Sequence, residues 1–276
     1  MHSPLAFIHP EAKLGKNVIV HPFSYIDKDV EIGDNTEIGP NAVIYAGSRI
    51  GKNGRIFPGA VIGAIPQDLK FEGEYTLAIL GDNVTVRENV TVNRGTKASG
   101  KTEVGNNVLL MANSHIAHDC IVKDHAIIVN NVALAGHVEV GEWTIIGGLA
   151  AVQQFVKIGP HVMVSGGSLV RKDIPPFVRV AKEPLQYVGV NSIGLRRRGF
   201  SDEKIREIQD IYRILYLSGM NIAKAVEYIE KEMPATKERD MILDFIRRST
   251  KGIVRGKFIT AEEKEEKEKV KEKQKN

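Results

Sequence analysis

A single cysteine, Cys120, stands among 276 residues. That excludes an internal disulfide framework and fits a reducing compartment. No apolar stretch approaches the roughly 20 residues that a membrane-spanning helix needs. The amino-terminal MHSPLAFIHP carries neither the basic nor the long apolar region of a signal peptide, so a cytoplasmic location and no stable membrane insertion are expected. Helix-turn-helix, zinc-finger and aromatic RNA-binding patterns are missing as well. The net charge of +4 suggests anionic partners; nucleic acid is the obvious candidate but no motif for it is present and no nucleic-acid partner is expected, and an acidic carrier protein or a phosphorylated small molecule explains the charge as well.

What the sequence has in abundance is a six-residue period. From Ile8, an Ile, Leu or Val returns at every sixth residue through Leu14, Val20 and Ile26 to Ile62, again at Leu80, Val86 and Val92, and again from Val104 to Val170. The residue four places after each is small or β-branched (Ala12, Val18, Ser24, Val30, Thr36), with Pro66 the exception. The residue immediately after is often glycine, as at Gly15, Gly33, Gly51, Gly105, Gly141 and Gly159. A period of six fits neither a helix nor an alternating strand, and it signals a parallel β-helix. Each hexad makes one flat side of a triangular coil with its aliphatic residue pointing inward, and the small residue lets the chain turn the corner. Glycine suits backbone near that corner that a Cβ would hinder. Cys120 takes one of the small-residue places, which makes it structural.

The fold class expected is mainly β, a parallel β-helix over residues 1–190, followed by a small C-terminal α-helical domain over 191–258 and a charged tail over 259–276. Two excursions, residues 63–79 with IPQDLKFEGEY and residues 93–103 with RGTKASGK, rejoin the repeat in phase. Loops displayed by a rigid solenoid are good places for function, and tolerated surface insertions look the same. Pro175 and Pro176 are expected to stop the coils. After a connection over 182–199, Ser201 caps a helix with Asp202 and Glu203 in its first turn and Ile205, Ile208, Ile211, Tyr212 and Leu215 on its apolar face; Gly219 ends it. Asn221 caps a second helix, to about Met233. A third covers about 237–248 with Ile242, Phe245 and Ile246 inward. The tail AEEKEEKEKVKEKQKN reads as a solvated helix or disordered chain.

The chemistry lies in MANSHIAHDC, residues 111–120. With about 18 residues to a coil, His118, Gly136 and Gln154 stack in one column and Asp119, His137 and Phe155 in the next, about 4.8 Å per step. His118 is the third residue of its hexad and so does not point into the core; a surface or subunit-interface histidine is the plain alternative to a functional one. A neutral imidazole can take a proton from a hydroxyl while a carboxylate or second imidazole fixes its tautomer. A glycine amide on the next coil can meet a developing oxyanion. No hydroxyl nucleophile stands out beside His118, which favours direct acyl transfer.

The hexads together with HIAHDC, LAGHV, QDLK, the Pro-Pro exit and GVNSIGLRRRGF resemble the acyl-carrier-protein:UDP-N-acetylglucosamine O-acyltransferases that begin lipid A synthesis, over about residues 1–255. The resemblance implies a left-handed β-helix, an exception to the usual crossover hand, and a homotrimer with active sites between subunits. It implies transfer of a (3R)-hydroxyacyl group from acyl carrier protein to the 3-hydroxyl of UDP-N-acetylglucosamine, with no cofactor and no metal. Carried over by matching motif, His118 is the general base, Asp119 supports it and the Gly136 amide serves the oxyanion. His115 and His137 help hold substrate, Gln67, Asp68 and Lys70 lie near the sugar and acyl chain, and Gln154 lies along the acyl groove. Asn191, Arg197 and Arg198 match the region that holds the nucleotide, where a cationic fork suits phosphate oxygens; a solvated basic turn reads the same. Gly166 falls where acyl length is limited and leaves room for a long chain.

The chain departs from the family in having Gln153 where histidine is common and Ile193 where an acidic residue is common, and a 3-amino sugar remains an alternative acceptor. A zinc carbonic anhydrase of the same fold would need three imidazoles around a metal, but His115 and His118 are three apart and the usual wider-spaced pair is missing. A non-catalytic trimeric scaffold would show no dependence on His118. The N-acyltransferases of the same pathway usually carry a distinct amino-terminal domain, whereas the hexads here begin by residue 8.

Overall fold

The computed structural model describes residues 1–256; the charged tail expected over 259–276 lies outside the described residues. Strands of mostly two residues stack in parallel with partners 18 positions on, Phe7–Ile8 on Tyr25–Ile26, Lys13–Leu14 on Glu31–Ile32 and Ile19–Val20 on Glu37–Ile38. Three hexads thus complete one coil, and the coils build three sheets of 9, 8 and 10 strands. These are the three faces of a left-handed parallel β-helix. The first face holds Phe7, Tyr25 and His115, the second Lys13 and Glu31, the third Ile19 and Glu37. From Val20 to Val170 every aliphatic residue of the repeat is at most 4% exposed. Ile8 and Leu14 are half-buried because no coil lies below the first.

The corners are made differently from the expectation. The chain turns at the residue three places after the aliphatic one, which adopts left-handed φ: Asn17, Asn35, Asn41, Asn53, Asn83, Asn89, Asn107, Asn113 and Asn131 all lie between 55° and 61°. Asparagine tolerates this region better than most side chains. The small residue that follows points inward; Ser24 is buried and its hydroxyl donates to the carbonyls of His21 and Gly39, both at 2.9 Å. Gly15, Gly33, Gly51, Gly105, Gly141 and Gly159, next to the aliphatic residue, have ordinary φ and are required by close stacking. A Cβ on Gly33 would lie 2.6 Å from the carbonyl carbon of Gly51 on the coil above.

Both excursions leave from the corner that follows the first face. There Val61 pairs with Thr91 and Thr91 with His115, a wider step than 18 at each of two successive coils, after which Ala133 restores it. The Pro-Pro exit does not end the prism. Val178–Ala181 still pairs in parallel with Met163–Val164, and the sheet closes on the antiparallel strand Gln186–Val190. Pro176 sits two places after Ile174, like Pro10, Pro22, Pro40, Pro58 and Pro160 after their aliphatic residues, where the ladder uses no N–H. In the corresponding place to Pro175 the N–H donates to the coil above, as Gly159 does to Ile174 at 2.8 Å, and above Pro175 the second face has no further strand.

The supposed connection over 182–199 therefore contains a strand and a short helix, α1 (Ser192–Arg197), capped by Asn191. Helix α2 (Asp202–Leu217) is capped by Ser201 and buries the five residues expected of it. Tyr212, fully buried, donates to the Pro176 carbonyl at 2.5 Å and fastens α2 to the end of the prism. Helix α3 (Ile222–Glu232) is capped by Asn221 and α4 (Lys237–Arg248) by Thr236. On α4 the buried residues are Arg239, Ile242 and Leu243, while Phe245 and Ile246 are half-buried. Arg239 turns inward to donate to the carbonyls of Glu230 and Met233 at the end of α3.

Candidate active site

His118 and Asp119 occupy the corner from which the loops leave, one coil above the second loop. Asp119 is the left-handed residue of its corner, φ 60°. At a regular corner that residue's N–H donates to the coil below, as His137 does to the His118 carbonyl at 3.0 Å. Below Asp119 the loop replaces the coil, and the Thr102 hydroxyl accepts instead at 2.9 Å. The carboxylate is fully enclosed. It accepts from the Thr96 N–H at 3.0 Å, the Thr96 hydroxyl at 2.8 Å, the Ser99 hydroxyl and His118 Nδ1 at 2.7 Å. Burial pushes its pKa up, but the hydrogen bonds from Ser99, His118 and Thr96 outweigh that and hold it down at about 2.

An ionised carboxylate only accepts, so Nδ1 of His118 carries a proton, and in the neutral ring Nε2 is the nitrogen with the lone pair. The imidazole lies against Gly136 of the next coil. A Cβ there would come within 2.5 Å of His118 Cε1 and 2.7 Å of Nε2, so glycine is what lets the ring occupy this place. The Gly136 N–H belongs to the class of position that proline fills elsewhere in the repeat, and it enters no hydrogen bond among the described residues. A free donor thus stands one coil from a free acceptor.

His137, at φ 61°, meets the His118 ring edge-on with centroids 5.2 Å apart, and its Nε2 lies 3.5 Å from Asp119. Burial lowers its pKa, against the opposing pull of Asp119; His118 lowers it further, and Asp68 of the first loop raises it. His115 bonds the Thr91 hydroxyl through Nδ1 at 2.6 Å, and burial, then His118, lowers its pKa. Phe155 stacks on His137 at 4.5 Å. Among the described residues, ligand atoms of His118, Asp119 and His137 lie within 4.8 Å of one another, close enough to share a cation. The Asp119 oxygens, however, are already taken up by four protein donors, which suits a hydrogen-bonded dyad better than a metal site.

The other predicted residues are distributed around the prism. Gln154 is exposed one coil above Gly136. On the first loop Gln67 and Lys70 are exposed, with the Lys70 N–H on the Asp68 carboxylate at 3.0 Å. Asn191, Arg197 and Arg198 stand at the next corner. The Asn191 amide is engaged, donating to the His161 carbonyl at 2.9 Å and accepting from the Gly194 N–H at 3.3 Å. Arg198 lies 5.3 Å over Trp143 and Arg197 is exposed. Gly166 belongs to the third corner, where a Cβ would sit 3.0 Å from the Gly148 carbonyl. The chain therefore brings His115, His118, Asp119, Gly136 and His137 together, and holds Asn191, Arg197 and Arg198 at a second edge and Gly166 at a third. Cys120 is buried with its thiol pushed up to about 12 by burial, in keeping with a structural role.

Thr96, Ser99 and Thr102 were not singled out from the sequence, although they fix Asp119. The signal available was the loop's departure directly below the site.

Residues 173–254 match the family described as UDP N-acetylglucosamine O-acyltransferase, domain 2, and residues 11–46, 29–64 and 101–136 match the bacterial transferase hexapeptide repeat. The chain is similar to an acyl-[acyl-carrier-protein]–UDP-N-acetylglucosamine O-acyltransferase of Thiobacillus denitrificans, 45% identical over 70% of this chain and 75% of the relative. It is also similar to solved UDP-N-acetylglucosamine acyltransferase structures. That from Bacteroides fragilis is 53% identical with TM-score 0.91, over 92% of this chain and 100% of the other. That of LpxA from Acinetobacter baumannii is 38% identical with TM-score 0.89, over 92% and 99%.

Proposed function

Because the chain belongs to the acyl-[acyl-carrier-protein]–UDP-N-acetylglucosamine O-acyltransferase family of lipid A biosynthesis, we propose that it moves a (3R)-hydroxyacyl group from acyl carrier protein to the sugar 3-hydroxyl with His118 as general base. The observation that carries this reading is the His118–Asp119 dyad at 2.7 Å against a glycine whose N–H has no partner among the described residues. His118 Nε2 takes the proton of the 3-hydroxyl as its oxygen attacks the thioester carbonyl carbon. Negative charge collects on the carbonyl oxygen, where the Gly136 N–H donates. As the carbon–sulfur bond breaks, the proton on Nε2 passes to the departing thiolate, which restores the base. Asp119 holds the tautomer and stabilises the transient imidazolium.

His115, His137, Gln67, Asp68, Lys70 and Gln154 would bind substrate around this centre, with Asn191, Arg197 and Arg198 toward the nucleotide and Gly166 toward the acyl end. A homotrimer would bring these edges together. Its support is the outward side chains of the faces. The second face is laced with charge, Lys13 to Glu31 at 2.9 Å and Lys157 to Glu139 at 3.0 Å. The first presents Tyr25, Val43, Val61, Ala133 and Ala151 and the third Leu109, Ile127, Ile145 and Met163. An apolar first face and an apolar stretch of the third, bounded by Arg55 below and Arg179 above, suit heterologous closure about a threefold axis. The division that goes with this reading is a catalytic β-helix over 1–190 and a helical domain over 191–258, in a cytoplasmic enzyme; none of the described helices is long and apolar enough to cross a membrane.

The test is to incubate protein with UDP-N-acetylglucosamine and a series of hydroxyacyl carrier proteins and weigh the nucleotide sugar. Wild type should add one hydroxyacyl group. His118→Ala should keep its assembly by size exclusion and lose about 10² to 10⁴ in rate. A correctly assembled His118→Ala protein with near wild-type turnover would sink the mechanism.

A further inference from the structure

Two histidines compete for one carboxylate at the chemical corner. Asp119 Oδ2 lies 2.7 Å from His118 Nδ1 and 3.5 Å from His137 Nε2, so the rotation of the carboxylate decides which ring it serves. The second loop sets that rotation. Asp119 Oδ1 accepts from the Thr96 N–H at 3.0 Å and from the Ser99 hydroxyl, and Oδ2 accepts from the Thr96 hydroxyl at 2.8 Å. Each hydroxyl has one hydrogen to give. The Thr96 oxygen accepts the Ala98 N–H at 3.2 Å, which leaves its own hydrogen for Asp119. The Ser99 hydroxyl stands between the Lys101 carbonyl, at 2.8 Å, and the carboxylate, and its hydrogen goes to the charged acceptor. The loop is itself braced from outside: the Lys97 N–H donates to Glu74 of the first loop at 2.9 Å, and the Lys97 ammonium lies 3.5 Å from Glu72.

We propose that Ser99, together with Thr96, is a positioning residue of the reaction: the two loop hydroxyls pin the Asp119 carboxylate on His118 and keep it from His137. The inference rests on the reading of His118 as general base. Pairing with His137 instead would leave His118 Nδ1 without its acceptor, and the tautomer that keeps the lone pair on Nε2 would lose its support. Ser99 is the decisive member, because it is the side chain that holds Oδ1, the oxygen neither ring uses. Without it that oxygen is held by a single N–H, and the carboxylate is free to turn. A loop that only compensated a buried charge would affect stability and leave the choice of ring alone, which separates the two roles by experiment.

The experiment is a double-mutant cycle on the full chain, assayed with UDP-N-acetylglucosamine and a hydroxyacyl carrier protein. Ser99→Ala should lower kcat by about tenfold with the sugar-nucleotide KM little changed, and Ser99→Thr, which returns the hydroxyl, should restore most of it. Placed on Asp119→Asn, the same Ser99→Ala change should alter the residual rate by less than about twofold, since it acts through that carboxylate. In ¹⁵N NMR of histidine-labelled Ser99→Ala protein, with the rings neutral, the His118 Nδ1–H signal should lose its bond to Asp119 and His137 Nε2 should gain one. Full activity of Ser99→Ala, an equal loss on wild type and on Asp119→Asn, or a His118 signal that stays in place would overturn the proposal. Near wild-type turnover in His118→Ala would instead remove the general-base reading, and the NMR comparison would still decide whether the loop chooses the ring.

Discussion

One backbone position, repeated from corner to corner, carries a structural ladder on one edge of the prism and the proposed catalytic residues on another. Asn17, Asn35, Asn53 and Asn83 stack along the edge after the second face, each side-chain amide donating to the next at 3.1 to 3.3 Å. On the edge after the first face the same place is held by Asp119, His137 and Phe155 at φ 60°, 61° and 67°. The turn is thus indifferent to what it displays. Asparagine is the side chain that adopts it most cheaply, and bulky aromatics there carry strain of order 1 kcal/mol. Departures from asparagine mark where something other than turning the chain decides the residue. The upper part of the Asn edge departs too, becoming His125, Trp143, His161 and Phe177 just where Asn191 and Arg198 approach.

Disturbing the chemical edge should have large effects on turnover. Asp119→Asn removes the charge that fixes the His118 tautomer, and kcat should fall about 10² to 10⁴ in steady-state assays while the sugar-nucleotide KM changes little. Gly136→Ala pushes a methyl into the imidazole and should cost two or more decades in rate and about 1 to 3 kcal/mol in stability, read by activity and chemical denaturation on the same sample. A fully active Gly136→Ala enzyme would show that the ring need not sit there.

The same edge should report on pH. The folded pKa of Asp119 is depressed to about 2 from 3.8, so its stabilisation is present above pH 4 and lost as pH falls through about 2. By linkage it amounts to about 2 kcal/mol. Denaturation midpoints of wild type and Asp119→Asn should therefore converge between pH 4 and 2, and parallel curves would contradict the assignment. The smallest effect belongs to the ladder: Asn35→Ala should lower stability by about 1 kcal/mol and leave kcat/KM as it was, since it touches no substrate.

Much of this was legible because the repeat is periodic. The inward aliphatic column fixed the coil, its register put His118 beneath Gly136, and the caps at Ser201 and Asn221 marked two helices. The left-handed asparagines were equally periodic but were overlooked in favour of the small residue that follows them. The proline pair misled because a rule about missing N–H groups was applied where the ladder uses none. The partners of Asp119 were out of reach, because Thr96 and Ser99 lie in a loop whose path no periodicity governs. Nor does hexad spacing show that Leu243 faces inward on α4 in place of Phe245, which depends on how the helices cross.

The tautomer of His118 is read directly by ¹⁵N NMR of histidine-labelled protein across a pH series that reaches the neutral ring, with the signal assigned from His118→Ala. The His118–Asp119 geometry predicts a protonated Nδ1, shifted by its bond to Asp119, and a bare Nε2. A protonated Nε2 with a bare Nδ1 would deny His118 the lone pair that the proposed general base needs and would contradict that role.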